Sequence, residues 1–339
     1  MSNLEEHPVS QECVADPRGG VEVITAREVP LGGPRAMRVR RTLPQRQRSL
    51  IGAWCFIDHY GPEDVSTSAG MDVAPHPHTG LQTVSWLFTG EIEHRDSAGV
   101  HAMVRPGELN LMSAGHGISH SEVSTPDTTI LHGAQLWLAL PDAVRDDDHG
   151  FDHFAPEPVT AGGAQMRVFL GDVGMRVGDE RVRADSPVRT ATALVGAEIV
   201  LPAHTTVTLE VAPTHEHGVL SDRGDIAVEN ESLAVGELGY VGVGSPTVVV
   251  ANRSDTSGRV LLVGGEPFTE EIIMWWNFVG RTHDEIASYR AQWEAGDVRF
   301  GTVEGYRGPH PRIPAPEMPT TTLRPRANPA PHAGSTRGR

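Results

Sequence analysis

An all-β protein with two similar domains in tandem is what this sequence predicts, and three observations carry that expectation. Short apolar runs recur along the chain, separated by clusters of Gly, Pro and Asp. The 339 residues include 37 Gly and 26 Pro, a composition suited to many turns and few long helices. Strand-like patterning pauses at Ala161-Gly162-Gly163-Ala164, which reads as a linker, and then resumes. The length alone, at about 150 residues per domain, also calls for two domains.

Taken in order, residues 1–19 are polar, Gly/Pro-punctuated and predicted to be a flexible N-terminus. Residues 20–158 form the first β domain. Its runs include Leu81-Gln82-Thr83-Val84-Ser85-Trp86-Leu87-Phe88 and Gly133-Ala134-Gln135-Leu136-Trp137-Leu138-Ala139-Leu140, spaced as in an antiparallel sandwich or barrel. Residues 159–300 form the second domain, with Glu198–Leu201, Thr206–Val211, Thr247–Val250 and Val260–Val263 as strand candidates. One helix is predicted late. Thr282-His283-Asp284-Glu285 has capping-box spacing, Ile286, Tyr289 and Trp293 recur at helical spacing, and Gly296 stops the run. Its apolar face should dock on a sheet. Residues 301–339 hold Pro at 309, 311, 314, 316, 319, 325, 329 and 331 and are predicted to be an extended, flexible tail.

Composition excludes several kinds of chemistry. Lys+Arg total 28 against 44 Asp+Glu, a formal charge of −16, so a basic nucleic-acid footprint is disfavoured. All of those cations are Arg. Without a lysine amine there is no Walker-type phosphate loop, kinase β3 lysine or pyridoxal Schiff base. Cys13 and Cys55 allow one disulfide but no thiolate-built metal site, and Cys55, in a Trp-Cys-Phe-Ile strand, reads as a buried small apolar residue. No apolar h-region follows the acidic opening, and no run approaches the ~18 apolar residues of a membrane span. A soluble cytoplasmic protein is expected.

Histidine carries the functional signal. Ten of the 17 histidines fall between His59 and His153, and two short motifs stand out, His76-Pro77-His78 and His120-Ser121-Glu122. Residues two apart on a strand share a face, about 6.6–6.8 Å apart along the backbone. If both pairs face one barrel interior, three imidazoles and a carboxylate converge on one ion and leave positions open. Spacing alone leaves a second reading, solvent-facing pairs on each strand. Gly70, Pro75, Gly80, Gly115 and Gly117 bring backbone in close around both motifs, as a small barrel requires at its bends.

The stretch Gly70-Met71-Asp72-Val73-Ala74-Pro75-His76-Pro77-His78 resembles the first metal motif of the cupin superfamily. The wider pattern resembles the pirin family. It runs through Phe56–Pro62, His76–Thr83 and Glu93–Gly99, then the long block Pro106–Glu122, and later Gly264–Pro267 and Ile273–Val279. The resemblance implies two tandem cupin (jelly-roll type) β-barrels with a short C-terminal helix. It places one divalent metal in the first barrel, on His76, His78, His120 and Glu122, and none in the second. Iron(II) is the usual ion, with zinc, manganese, nickel or copper as alternatives.

Some pirin-like proteins open the flavonol ring of quercetin with dioxygen, and others bind proteins as regulators. The implied functions are therefore a dioxygenase of a small aromatic polyphenol, with Glu122 as the base, or a redox-responsive protein-binding regulator; a zinc cupin isomerase is a third reading. Neither direct nucleic-acid binding nor a membrane partner is expected. The chain departs from the family pattern at Thr79, Leu81, Gln82, Leu111 and His116, which reshape the pocket mouth and touch no implied ligand.

Three other groups read as ordinary surface or core. His215-Glu216-His217 with Asp222 imitates a metal motif but lacks a third imidazole. Asp146-Asp147-Asp148-His149 with His153 reads as a solvated loop. His94 and Asp96 fit either strand surface or a supporting role behind the ligands.

Overall fold

The computed structural model describes residues 20–30, 37–67, 70–326 and 328. Expectations for residues 1–19, for Cys13 and for 329–339 lie outside the described residues.

The chain forms two tandem jelly-roll type barrels, each closed by two antiparallel sheets. In the first, a seven-stranded sheet runs in spatial order 150–154, 109–113, 81–89, 130–139, 54–64, 38–43 and 27–30. A four-stranded sheet faces it, ordered 72–78, 118–124, 92–96 and 101–104. The second barrel pairs a seven-stranded sheet, ordered 21–24, 238–241, 216–223, 258–265, 194–201, 164–170 and 159–161, with a six-stranded one.

The long runs that look uniformly apolar are strands buried on both faces. Ile130–Ala139 pairs with Trp54–Asp64 and with Leu81–Thr89, so that Gln135 lies opposite Asp58 and Ser85, and Trp137 opposite Phe56 and Thr83. Directly opposed residues share a face. Ser85 bonds across to Glu122 of the four-stranded sheet, which identifies this face as the interior of the first barrel. The other face, with His59, Val84, Trp86, Ala134 and Leu136, meets the second barrel. There Trp86 stacks on Phe169 at 4.4 Å, its Nε1 donates to Glu198 at 2.7 Å, and Trp54 Nε1 donates to the Gly264 carbonyl at 3.1 Å. One apolar cluster consequently spans both barrels. At its rim Gly52 takes φ +53° and would place a Cβ 2.8 Å from Gly265 Cα, so backbone packs on backbone.

Each barrel borrows from the opposite end of the chain. Val21–Ile24 pairs with Leu238–Val241 in the second barrel, although the sequence reading assigned residues 20–158 to the first. The Ile273–Trp275/Phe278–Gly280 hairpin and the helix His283–Ala295 lie against the first barrel, where Val279 N–H donates to the Thr79 carbonyl. The helix is capped as predicted, by Thr282 and by Gly296 at φ 71°. Its buried face is Ile286, Tyr289 and Trp293.

Two features differ from the sequence expectation. Gly162 and Gly163, read as a linker, take φ +53° and +78° as the turn of a tight hairpin between 159–161 and 164–170. Residues 301–326, expected to be a flexible tail, lie along the first barrel. Tyr306 donates to Asp72 at 2.7 Å, Ile313 N–H to the Pro75 carbonyl at 2.8 Å, and Trp293 Nε1 to the Ile313 carbonyl at 2.8 Å. Proline prevents helix here without preventing order, because an extended strap can still pack Ile313, Met318 and Leu323.

Candidate metal centre

The cage is built where two neighbouring strands each present an alternate pair to the barrel interior. Asp72–His78 and Ile118–Ser124 are antiparallel, with His76 opposite His120 and His78 opposite Ile118. His76, His78 and His120 are fully buried, and one donor nitrogen from each lies within 4.8 Å of the others. Their ring centroids are 4.4–5.1 Å apart. Glu122 sits two residues beyond His120, also buried, past a bulge in the register. Its carboxylate does not join the tight group of three imidazoles. It lies toward the opposite sheet, where Ser85 Oγ is 3.1 Å from Oε1.

Hydrogen bonds set the tautomers. His76 Nδ1 lies 2.9 Å from the Ala74 carbonyl, and His78 Nδ1 lies 3.2 Å from the Asn277 carbonyl. A carbonyl only accepts, so each Nδ1 carries the proton and each Nε2 keeps its lone pair. His76 Nε2 is buried with no hydrogen-bond partner. His78 Nε2 and His120 Nε2 are 3.1 Å apart. Two donors held at right angles by one ion at ~2.1 Å would be about 3.0 Å apart, so this pair is already spaced as an edge of a coordination shell. Burial also pushes all three imidazoles well below their usual titration range, which keeps them neutral. An orphaned lone pair, a ligand-spaced pair and neutral rings together fit a cation.

Across the interior from the cage, the seven-stranded sheet presents Tyr60, Gln135 and Trp137. Tyr60 Oη, Gln135 Nε2 and Trp137 Nε1 are buried without a protein partner. Burial, and then the Glu122 charge, raises the Tyr60 phenol well above its usual range, so it stays a neutral donor. The Trp137 ring lies 5.1 Å from that of His78.

A second donor group, His59, His132 and Asp222, joins the two barrels. No sequence signal singled it out, because Asp222 comes from the other barrel. Its hydrogen bonds point away from metal binding. Arg40 Nε donates to His59 Nδ1 at 3.1 Å, and an Arg259 amine lies 3.3 Å from His132 Nδ1. With both Nδ1 atoms accepting, both Nε2 atoms carry protons and meet Asp222 Oδ1 at 2.7 and 2.6 Å. Arg259 Nε donates to Asp222 Oδ2 at 2.7 Å. One guanidinium and two imidazole nitrogens thus face one carboxylate, with Arg40 behind His59, a structural clamp rather than a cation site.

Nearby, Glu216 accepts from Gly52 N–H at 2.6 Å and from Tyr240 at 2.8 Å, so the acids of the His215-Glu216-His217…Asp222 stretch serve the domain interface. Cys55 is buried and its thiol is pushed up to about 12, an inert group in agreement with its sequence reading. No helix among the described residues is long and apolar enough to cross a membrane.

Comparison with known proteins agrees with this architecture. The family model described as Pirin matches residues 36–138, and the one described as Pirin C-terminal cupin domain matches residues 196–301. The chain is 42% identical over 323 residues, 94% of its length, to a Pseudomonas aeruginosa protein whose name assigns it provisionally to quercetin 2,3-dioxygenase, covering 98% of that protein. It is 33% identical to a pirin-like protein of Caulobacter vibrioides, over 83% of this chain and 96% of that one. Among solved structures, the quercetin 2,3-dioxygenase from Acinetobacter baumannii superposes with a TM-score of 0.81 at 37% identity, over 91% of this chain and 98% of that one. Similarity of this extent runs through both cupin barrels and the segments that cross between them, and it places the chain in the pirin family.

Proposed function

We propose that this pirin is a metal-dependent dioxygenase of flavonol-type polyphenols, holding one divalent ion, iron(II) in the working enzyme, on His76, His78, His120 and Glu122. The observation that carries this reading is the convergence of three buried, neutral imidazoles, each with one ring nitrogen turned toward the other two. A 2+ ion there would supply a Lewis acid that favours a substrate hydroxyl in its deprotonated form.

The chain's own groups then divide the remaining work. Glu122, bonded to Ser85 through Oε1, has two carboxylate oxygens, and the one that the ion would leave free is the base for the hydroxyl proton. Tyr60, Gln135 and Trp137 offer three N–H or O–H donors to a ligand rich in oxygen acceptors, which fits a polyphenol better than a hydrocarbon. Full burial of the cage keeps bulk water from the reacting atoms.

The names of the relatives support the same substrate class. The test is to load the metal-free protein with iron(II) under anaerobic conditions, add quercetin and oxygen, and follow the flavonol absorbance. Metal-dependent decay is expected; the absence of any turnover above the metal-free protein removes the reading.

A further inference from the structure

The four-stranded sheet of the first barrel carries a third alternate-position pair, His94 and Asp96, which the cage itself does not use. Their strand, Ile92–Asp96, pairs with Ile118–Ser124 so that His120 lies opposite Asp96 and Glu122 opposite His94. Opposed residues share a face, so the pair looks to the same side as the ligand residues. Both are buried. His94 Nδ1 is 3.3 Å from His120 Nδ1, and His94 Nε2 is 3.3 Å from Asp96 Oδ2. Asp96 is itself pinned, because Oδ1 accepts from the backbone N–H of Ala98 at 2.9 Å and of Val100 at 3.0 Å.

His120 differs here from its two companions. His76 and His78 face carbonyls, which accept and never donate, so their tautomers are set at once. His120 faces an imidazole, which can do either. Two acceptors compete for the one His120 proton: His78 Nε2, 3.1 Å away, draws it to Nε2, and the Asp96 carboxylate, acting through His94, draws it to Nδ1. Under the second pull His94 places its proton on Nε2 toward Asp96 and its lone pair on Nδ1. His120 then answers with Nδ1–H, which leaves its Nε2 bare and facing His78 Nε2 at 3.1 Å.

We propose that Asp96 and His94 are positioning residues of the metal cage: Asp96, acting through His94, fixes His120 in the one tautomer whose Nε2 can hold a metal ion. No proton moves in this arrangement; the chain of donors and acceptors only sets direction. The inference rests on the metal-cage reading given above.

Asp96→Asn tests it with little change of shape. The new amide keeps an oxygen for the Ala98 and Val100 N–H groups and turns an N–H toward His94 Nε2. That reverses every step and puts a proton on His120 Nε2. Metal-free full-length protein is titrated with cobalt(II), and the His120 tautomer is read from imidazole 15N shifts before metal is added.

Asp96→Asn is expected to bind cobalt about 10–100-fold more weakly than wild type, with the His120 proton moved to Nε2. His94→Leu should weaken binding similarly. His94→Gln, whose amide can accept from His120 and donate to Asp96, should remain within about threefold of wild type. Wild-type affinity and an unchanged tautomer in Asp96→Asn overturn the proposal, as does a His94→Gln protein as weak as His94→Leu. His78→Ala separates the two readings. If wild type binds cobalt, His78→Ala does not and Asp96→Asn binds normally, the positioning role alone is wrong; if wild type does not bind, the cage reading falls and this one with it.

Discussion

Ser85 shows how much one hydroxyl can decide. Its oxygen lies between Glu122 Oε1 at 3.1 Å and Gln135 Oε1 at 3.0 Å, yet it has a single proton to donate. Removing it leaves the Glu122 carboxylate with one fewer restraint in a buried site. Ser85→Ala is expected to weaken metal binding by up to about tenfold without loss of fold, as read by metal titration beside thermal unfolding. His217 offers a residue-scale test of burial. Desolvation, and then His215, lowers its imidazole from the ordinary 6.5 to about 4. A lowered His binds fewer protons folded than unfolded, so its contribution to stability is full above pH 6.5 and is lost as pH falls toward 4. Over that window it accounts for up to about 3 kcal/mol. Denaturant midpoints of wild type and His217→Gln between pH 7 and 4.5 should converge as the pH drops; parallel curves would rule the assignment out.

The three imidazoles were legible in the sequence because strand periodicity is local: positions two apart share a face whatever else the chain does. Glu122 was legible only as a neighbour of His120. Its turn toward Ser85 depends on a register bulge that spacing does not reveal. The Asn277 carbonyl that orients His78 was not legible at all, since it is backbone reaching the site from 199 residues away.

Elements follow the same division between local and distant causes. The helix His283–Ala295 was readable to within a residue because its cap, apolar spacing and stop glycine are local signals. The strap 301–326 was not. Its composition forbids regular structure, but its order comes from tertiary partners on Asp72, Pro75 and Trp293. Deleting residues from 301 onward is therefore expected to destabilise the first barrel by on the order of 2–4 kcal/mol, through lost hydrogen bonds and the uncovering of Trp293 and Ile313. Chemical unfolding of the truncated protein measures this; an unchanged midpoint would show the strap to be ornamental.

At the scale of the molecule, the division into two barrels was readable from turn spacing and length, whereas their mutual dependence was not. The first strand belongs to the second barrel, the last elements belong to the first, and the largest core cluster lies between them. Asp222 is the polar counterpart of that apolar seam. It is an ionised carboxylate held well below its usual range, because the hydrogen bonds from His132 and His59 and the Arg259 charge outweigh burial. Asp222→Ala would leave Arg259 of the second barrel and His59 and His132 of the first without their shared acceptor. A loss of about 3–5 kcal/mol is expected, with both barrels unfolding together in calorimetry. Separate transitions with an unchanged total would contradict this.

The metal content of the purified protein bears most directly on all of this. Elemental analysis after reconstitution is predicted to find about one divalent ion per chain in wild type, and a small fraction of that in His78→Ala and in Glu122→Ala. Full occupancy in both variants would contradict the account.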